Sequence, residues 1–223
     1  MEHKENCNLI KLEGTVCSEL AFSHELYDEK FNVFTLSVQR LSDKTDDIQV
    51  TIAEKSLNGQ ILTLGQKIIV QGQLRSYNKM EGGRNKLILT VFARSLGEVA
   101  EGTPDPNHIE LEGYVCKKPV FRTTPFGREI ADLLVAVNRA YKKSDYIPAI
   151  AWGRNARFAE HLNVGDKIRL EGRFQSRQYQ KCFGTNEREI CTAYEVSIGR
   201  LEHLEKSDED TAMDCEETMS SMA

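Results

Sequence analysis

The chain has 223 residues, a formal net charge of −5, 40% hydrophobic residues and 28% charged residues. This composition is typical of a soluble globular protein with one large domain or two of ordinary size. It excludes a helical membrane protein, because no apolar run approaches the roughly 18 residues that a membrane helix needs. The first residues, MEHKENCN, lack the apolar core of a signal peptide. We therefore expect a cytoplasmic protein.

The six cysteines and five histidines do not form a metal-binding pattern. There is no CxxC pair, and no two histidines have the spacing of a zinc finger. The sequence also contains no Walker motif, HExxH motif, dinucleotide-binding glycine set or nucleophile elbow. We therefore expect no catalytic residues, no metal and no cofactor, and we expect that the protein is not an enzyme.

The first half of the chain predicts five strands, because short runs of β-branched and aromatic residues are separated by turn residues. The strands fall at residues 9–16, 31–39, 48–53, 67–76 and 86–95. A short helix-like stretch at 56–63 lies between the third and fourth strands. Gly14 lies inside the first strand, where a glycine is typical of a bulge or tight bend.

The second half repeats this order about a hundred residues later. Its strands are predicted near residues 109–117, 129–139, 146–152, 167–179 and 188–198, with a helix at 154–162. The motif KLEGTVC at 11–17 matches ELEGYVC at 110–116, and LGQKIIVQGQ at 64–73 matches VGDKIRLEGR at 164–173. A fixed offset over these landmarks indicates that one supersecondary plan is used twice.

The repeat divides the chain into two expected domains, residues 1–102 and residues 108–205. Residues 103–107 belong to the turn-rich stretch EGTPDPN and are expected to be a linker. Residues 206–223 are acidic and aperiodic, and we expect a disordered tail. Five strands with a short helix between the third and fourth are typical of the OB-fold, a Greek-key barrel. An SH3-like barrel is the alternative, but it lacks that helix. The predicted fold class is all-β, with two tandem OB-folds.

Residues 109–196 resemble the bacterial single-stranded DNA-binding protein (SSB) family along their length. The residues that carry the resemblance are LEGYV at 111–115, Pro119, Thr123, Thr124, Gly127, LVAVNR at 134–139, Tyr141, IAWGRNA at 150–156, Leu162, VG at 164–165, GRFQSR at 172–177 and Tyr179. The first repeat keeps the glycine and aliphatic landmarks and resembles the family only through the second repeat. The resemblance implies a tandem OB-fold variant that coats and protects single-stranded DNA during replication, recombination and repair.

In this family, bases stack on aromatic side chains at a few recurrent positions. The matching residues here are Tyr141, Tyr146, Trp152 and Tyr179, which fall opposite Ser42, Asp47, Ala53 and Lys79 of the first repeat. Tyr146 and Trp152 are six residues apart in one predicted strand, so they share a face of the sheet. The alternatives are that Trp152 is a half-buried packing residue and that Tyr179 is an exposed turn residue.

Basic residues near these aromatics are candidates for phosphate contacts. They are Arg139, Lys142, Lys143, Arg154, Arg157, Arg173, Arg177 and Lys181. The net charge is −2 over residues 1–102, +2 over residues 103–205 and −5 in the tail. A basic stripe on the second repeat is therefore compatible with an acidic total. The alternative for each residue taken singly is an ordinary solvated charge.

The first repeat has no comparable set of residues. Acidic and small side chains, namely Ser42, Asp43, Asp46 and Asp47, fall where phosphates would need cations. Its aromatics are expected mainly in core or hairpin contacts; they are Phe22, Tyr27, Phe31, Phe34, Tyr77 and Phe92. We therefore predict a structural or partner-binding barrel. Because SSB assemblies contain four OB-folds, the resemblance also implies that this chain forms a homodimer.

The acidic tail resembles the family's tail only in part. Family tails often end in a Pro-Phe tip that recruits repair enzymes, whereas this sequence ends in MSSMA. We therefore treat a solubilising role as the simpler expectation for the tail. The expected partners are single-stranded DNA, a second copy of the chain and proteins of replication and repair, at the bacterial nucleoid and without a membrane. The alternative function is a primosome-type replication assembly factor that acts mainly through protein contacts.

Overall fold

The computed structural model describes residues 8–81, 83–99, 106–140, 143–183 and 187–205. The first half contains the strands β1 Asn8–Val16, β2 Ala21–Leu26, β3 Glu29–Gln39, β4 Thr45–Ala53, β5 Lys67–Glu81 and β6 Arg84–Glu98, with a 3₁₀ helix at Glu54–Leu57. The second half contains β7 Asn107–Val115, β8 Val120–Thr123, β9 Glu129–Arg139, β10 Lys143–Trp152, helix α1 Arg154–Glu160, β11 Lys167–Phe183 and β12 Glu187–Leu204.

The first half closes into a five-stranded barrel. β1 pairs with β5 along most of its length and with β3 at its end. It therefore links the first and last strands of the sheet and closes the barrel. β3 pairs with β4 and β5 pairs with β6, all antiparallel. The parallel pair β4–β6 completes the ring. The strand order β1-β3-β4-β6-β5-β1 is that of an OB-fold.

The second half forms the same ring from β7, β9, β10, β12 and β11, again with one parallel pair, β10–β12. Alternate side chains of the strands fill each interior, as the period of two requires. Leu36 and Ile48 are fully buried in the first barrel, and Val135 and Ile147 are fully buried in the second. The prediction of two tandem OB-folds in an all-β protein is confirmed.

Two details of secondary structure differ from the predictions. Each barrel has an additional short strand, β2 or β8, which forms a hairpin with β3 or β9. The helix predicted at residues 56–63 is a 3₁₀ helix at Glu54–Leu57. It ends there because Asn58 and Gly59 take left-handed conformations, with φ of 49° and 76°.

Glycines allow the strands to approach closely where each barrel bends. A Cβ on Gly14 would lie 2.6 Å from the Ser37 carbonyl oxygen, so only glycine fits where β1 crosses from β5 to β3. Gly72 follows a register shift in β5, as expected for a bulge. Beyond this bulge β5 diverges from β1, and the buried side chain of Asn8 hydrogen bonds to both the amide and the carbonyl of Leu74 at 2.9 Å.

The two barrels are joined by antiparallel pairing of β1 with β7. The pairing runs from Asn8 opposite Leu111 to Leu12 opposite Asn107 and produces one twelve-stranded sheet. β7 therefore begins at the last residue of the expected linker, and residues 103–105 of that linker lie outside the described residues. The edge strand of each barrel is covered by the other barrel, which protects its backbone groups from pairing with a foreign strand.

Candidate nucleic-acid interface

The surface of the second barrel includes three adjacent strands, β10, β12 and β11. β12 pairs with β11 along its length and with β10 at Ala149 and Ile150. Side chains alternate across these strands, so Phe174 lies in the barrel interior while its neighbour Arg173 points outward. We call the outward side of these three strands the outer face.

Trp152 lies on the outer face at the end of β10 and is 38% exposed. Its indole Nε1 donates a hydrogen bond to the Ser197 hydroxyl of β12 at 3.1 Å. Beside the indole is an open cleft of about 530 Å³, lined by Trp152, Gly127, Arg128, Glu129, Gly153 and Arg157. The ring is therefore anchored at one edge and accessible to a flat ligand at another.

Tyr146 and Tyr179 are the other two described aromatics at the predicted positions, and they are 48% and 39% exposed. Tyr179 lies within β11 opposite Cys191, so it is a strand residue and not a turn residue. The Arg177 guanidinium lies 5.8 Å from the centroid of the Tyr179 ring, within cation–π range. Arg177 Nε also donates to the carboxylate of Glu195, which is largely buried, at 3.3 Å. These contacts hold an arginine beside an exposed aromatic ring.

Further cations lie near the strands of the outer face. Lys143 and Arg154 are exposed at the start of β10 and of α1. Arg157 Nε donates to the Glu129 carboxylate at 2.6 Å, and this hydrogen bond raises the pKa of Arg157. Arg128 lines the cleft beside Trp152 and was not among the sequence candidates. It lies in the turn between β8 and β9, where no period-two pattern could reveal its direction.

Three of the predicted contacts are not placed. Tyr141 and Lys142 lie outside the described residues, and the side chain of Lys181 is not described. They remain predictions.

Arg139 was expected to contact phosphates, but the structure places it in the contact between the barrels. Its Nη2 donates to Asp145 Oδ1 at 2.6 Å and to the carbonyl oxygen of Ser76 at 3.1 Å. Asp145 is fully buried and also accepts from the amide of Ser76 at 2.5 Å and from Arg75 Nη1 at 3.0 Å. The guanidinium of Arg139 therefore serves to hold β5 of the first barrel.

The same arrangement occurs with the barrels exchanged. Arg40 donates to Asp46 at 2.5 and 2.7 Å and to the carbonyl oxygen of Ser176 at 2.6 Å, while Asp46 accepts from the amide of Ser176 at 2.7 Å. We call these two sets, Arg40–Asp46–Ser176 and Arg139–Asp145–Ser76, the inter-barrel clamps. Asp46, one of the acids at positions where phosphates would need cations, is buried in a clamp.

The first barrel differs from the second at the positions that match the outer face. Ser42 and Asp47 are exposed and Ala53 is buried, as their residue types suggest. Of its aromatics, Phe34 is a core residue, as predicted. Phe31 lies in the β2–β3 hairpin, opposite His24, and packs against Phe92 at the half-buried surface, with ring centroids 5.7 Å apart.

Within the described ranges, no group of three or more His, Cys, Asp or Glu side chains could hold a metal ion. None of the helices among those residues is both long and apolar enough to cross a bilayer.

The fold and the aromatic outer face define the class of the protein as a tandem OB-fold protein. Comparisons with known proteins place it further. Residues 106–203 match the model of the single-strand binding protein family. The chain is 33% identical over 86 residues to the single-stranded DNA-binding protein of Clostridium tetani. This alignment covers 35% of this chain and 59% of that protein. The chain is also 33% identical over 81 residues to single-stranded DNA-binding protein 1 of Staphylococcus aureus, covering 33% and 48%.

The chain thus spans about half the length of the curated relatives it matches. Among solved structures, that of the wild-type single-stranded DNA binding protein from Thermus aquaticus is similar over 91% of this chain and 95% of that chain, with a TM-score of 0.72 and 22% identity. At this identity the likeness concerns the fold, and it extends over both barrels. The family match thus covers the second barrel, and the likeness to the Thermus aquaticus structure shows the fold alone for the first barrel. Proteins of the matched family are non-catalytic. The match supports the expectation that the chain is not an enzyme.

Proposed function

We propose that the protein binds single-stranded DNA through the outer face of its second barrel. The observation that carries this proposal is the joint exposure of Tyr146, Trp152 and Tyr179 on adjacent strands that also carry arginines. Every base has a π-face, so exposed aromatic rings can accept any sequence, and guanidinium and ammonium groups neutralise the phosphates between the bases.

Stacking and phosphate contacts contribute differently to the affinity. Each occupied aromatic ring is worth about 1–3 kcal/mol by alanine substitution. The phosphate contacts are salt-dependent, because DNA releases counterions as the cations bind. We propose that the phosphates meet Lys143, Arg154, Arg157, Arg173 and Arg177, together with Arg128 beside Trp152. By their match to the family's positions, Tyr141, Lys142 and Lys181 also belong to this surface.

The first barrel has a structural role in this proposal. It holds the second barrel through the β1–β7 pairing and the inter-barrel clamps. We retain residues 1–102 and 108–205 as the two domains and residues 206–223, which lie outside the described residues, as a solubilising tail. By analogy with the family, two chains would bring four OB-folds together. The match of residues 106–203 to the family also supports a role in replication, recombination and repair at the nucleoid.

The proposal is tested by measuring the affinity of the full chain for a fluorescently labelled oligo(dT) strand at low salt by anisotropy. Replacing Tyr146, Trp152 and Tyr179 by alanine should weaken binding by at least about 100-fold, since three stacking contacts are lost. The matched control replaces Phe22, Tyr27 and Tyr77, which are exposed aromatics of the first barrel. The control should bind as the unmodified chain does. Equal affinity of the outer-face variant, or an equal loss in the control, would contradict the proposal.

A further inference from the structure

We propose that Ser76 of the first barrel is a positioning residue for the stacking side chain Tyr146, so that the DNA-binding surface of the second barrel is completed by its neighbour. This inference rests on the proposed function. It assigns the first barrel a specific part in DNA binding beyond holding the assembly together.

All three polar groups of Ser76 bind residues of the second barrel. Its hydroxyl accepts a hydrogen bond from the backbone amide of Tyr146 at 2.7 Å. Its amide donates to Asp145 Oδ1 at 2.5 Å, and its carbonyl oxygen accepts from Arg139 Nη2 at 3.1 Å. Ser76 therefore fixes two consecutive residues of β10, one through its side chain and one through its backbone.

The strand pairing explains why Tyr146 needs a partner from outside its own barrel. One edge of β10 pairs with β9, with Tyr146 opposite Ala136. The other edge pairs with β12 at Ala149 and Ile150, which come after Tyr146 in the chain. The amide of Tyr146 lies beyond this pairing and donates to Ser76 instead. This part-buried hydrogen bond pairs an amide that β12 does not reach, and it adds a restraint on the backbone of Tyr146 to the pairing with β9.

The hydrogen-bonded groups of this contact are buried, whereas the tyrosine ring is exposed. Ser76 is 7% exposed and Asp145 is fully buried, so water does not readily replace their hydrogen bonds. The side chain of Tyr146, in contrast, reaches the surface, where the residue is 48% exposed. The arrangement holds the backbone and presents the ring, which lowers the entropic cost of ordering the ring when a base stacks on it.

The opposite clamp lacks this feature. Ser176 uses its amide and carbonyl in the same way, with Asp46 and Arg40. Its hydroxyl, however, lies 3.3 Å from Arg40 Nη2 and accepts from that guanidinium. The residue that matches Tyr146 is Asp47, which offers no ring for stacking. The hydroxyl-to-amide bond thus occurs in the clamp that carries an aromatic, and Ser176 provides a matched control.

The test is a double-mutant cycle on the full chain, with Ser76→Ala, Tyr146→Ala and the double variant titrated with labelled oligo(dT). Ser76→Ala should weaken binding about three- to tenfold, as expected for the loss of one hydrogen bond that orders a stacking residue. It should have almost no further effect once Tyr146 is alanine, because the two residues act on the same contact. Ser176→Ala should leave the affinity unchanged, and Ser76→Thr should restore it.

Additive effects of the two substitutions, or an equal loss in Ser176→Ala, would overturn the inference. If Ser76→Ala does not fold, Ser76→Thr and Ser76→Val supply a pair that differs in the hydroxyl at nearly constant shape. Hydrogen exchange of the unmodified chain is independent of any variant: the amide of Tyr146 should be protected, and exchange at the rate of an open loop would overturn the inference. Failure of the unmodified chain to bind oligo(dT) would refute the proposed function. Hydrogen exchange at the Tyr146 amide would then still test the hydrogen bond to Ser76, so the two failures can be told apart.

Discussion

Replacing Asp145 by asparagine should destabilise the protein by about 2–4 kcal/mol. The carboxylate is fully buried and accepts hydrogen bonds from Ser76, Arg139 and Arg75 at 2.5, 2.6 and 3.0 Å. Losing one member of a buried charge cluster costs about 3–5 kcal/mol, and a hydrogen bond to a charged group contributes about 1.5–3 kcal/mol. The two arginine side chains are 24% and 29% exposed, so water recovers part of the loss.

The measurement is urea unfolding of the full chain, followed by far-UV circular dichroism. The midpoint should fall while the slope with urea concentration stays the same, because the surface exposed on unfolding is unchanged. The matched control is Asp132→Asn, which breaks an ion pair with Arg122 in the same barrel whose side chains are 40% and 46% exposed. An exposed pair is worth about 0–1 kcal/mol. A cost for Asp145→Asn no greater than that of the control would refute the idea that the clamps hold the barrels together.

Three further outcomes are expected. Tyr179→Ala should weaken oligo(dT) binding, measured by anisotropy, by about 1–3 kcal/mol. The salt dependence of binding should not change, and a changed salt dependence would assign Tyr179 to phosphate contacts instead. Neutralising Arg154 or Lys143 should lower the slope of log affinity against log salt by about 0.7 each, and an unchanged slope would remove that residue from the phosphate path. Gly113→Ala should lower the melting temperature, because the added Cβ would meet a carbonyl oxygen of β9. Gly97→Ala is the control and should be tolerated, because the nearest atom is 4.0 Å away. Equal effects of the two substitutions would contradict the close approach at Gly113.

The sequence predicts the barrels well because their determinants are local. Alternating apolar residues define the five barrel strands, and the repeat supplies each pattern twice. β2 was missed because all six of its residues are exposed, so it has no alternation to detect. The helix is shorter than the predicted stretch 56–63 because Asn58 and Gly59, which are weak helix formers, take left-handed conformations and end it after one turn.

The candidate site divides in the same way. Tyr146 and Trp152 could be assigned to one face of a strand by counting residues, and both are exposed at their surface. The role of Arg139 in the clamp could not be predicted, because one of its two partners, the Ser76 carbonyl, lies in the other barrel and 63 residues away in the chain. The same holds for Asp46, which accepts from the Ser176 amide 130 residues away. The alternation of side chains along a strand predicts which way a side chain points, but not which residues it contacts. The contacts of Arg139 and Asp46 depend on how the two barrels pair.

The central claim is that single-stranded DNA stacks on the outer face of the second barrel. Trp152 is the only tryptophan in the chain, so the intrinsic tryptophan emission reports on that face alone. Titration of the full chain with oligo(dT) at low salt should quench this emission to a saturating value, and added salt should reverse it as phosphate contacts are lost. An unchanged tryptophan emission at oligo(dT) concentrations where anisotropy detects a complex would contradict the claim and place the DNA elsewhere on the protein.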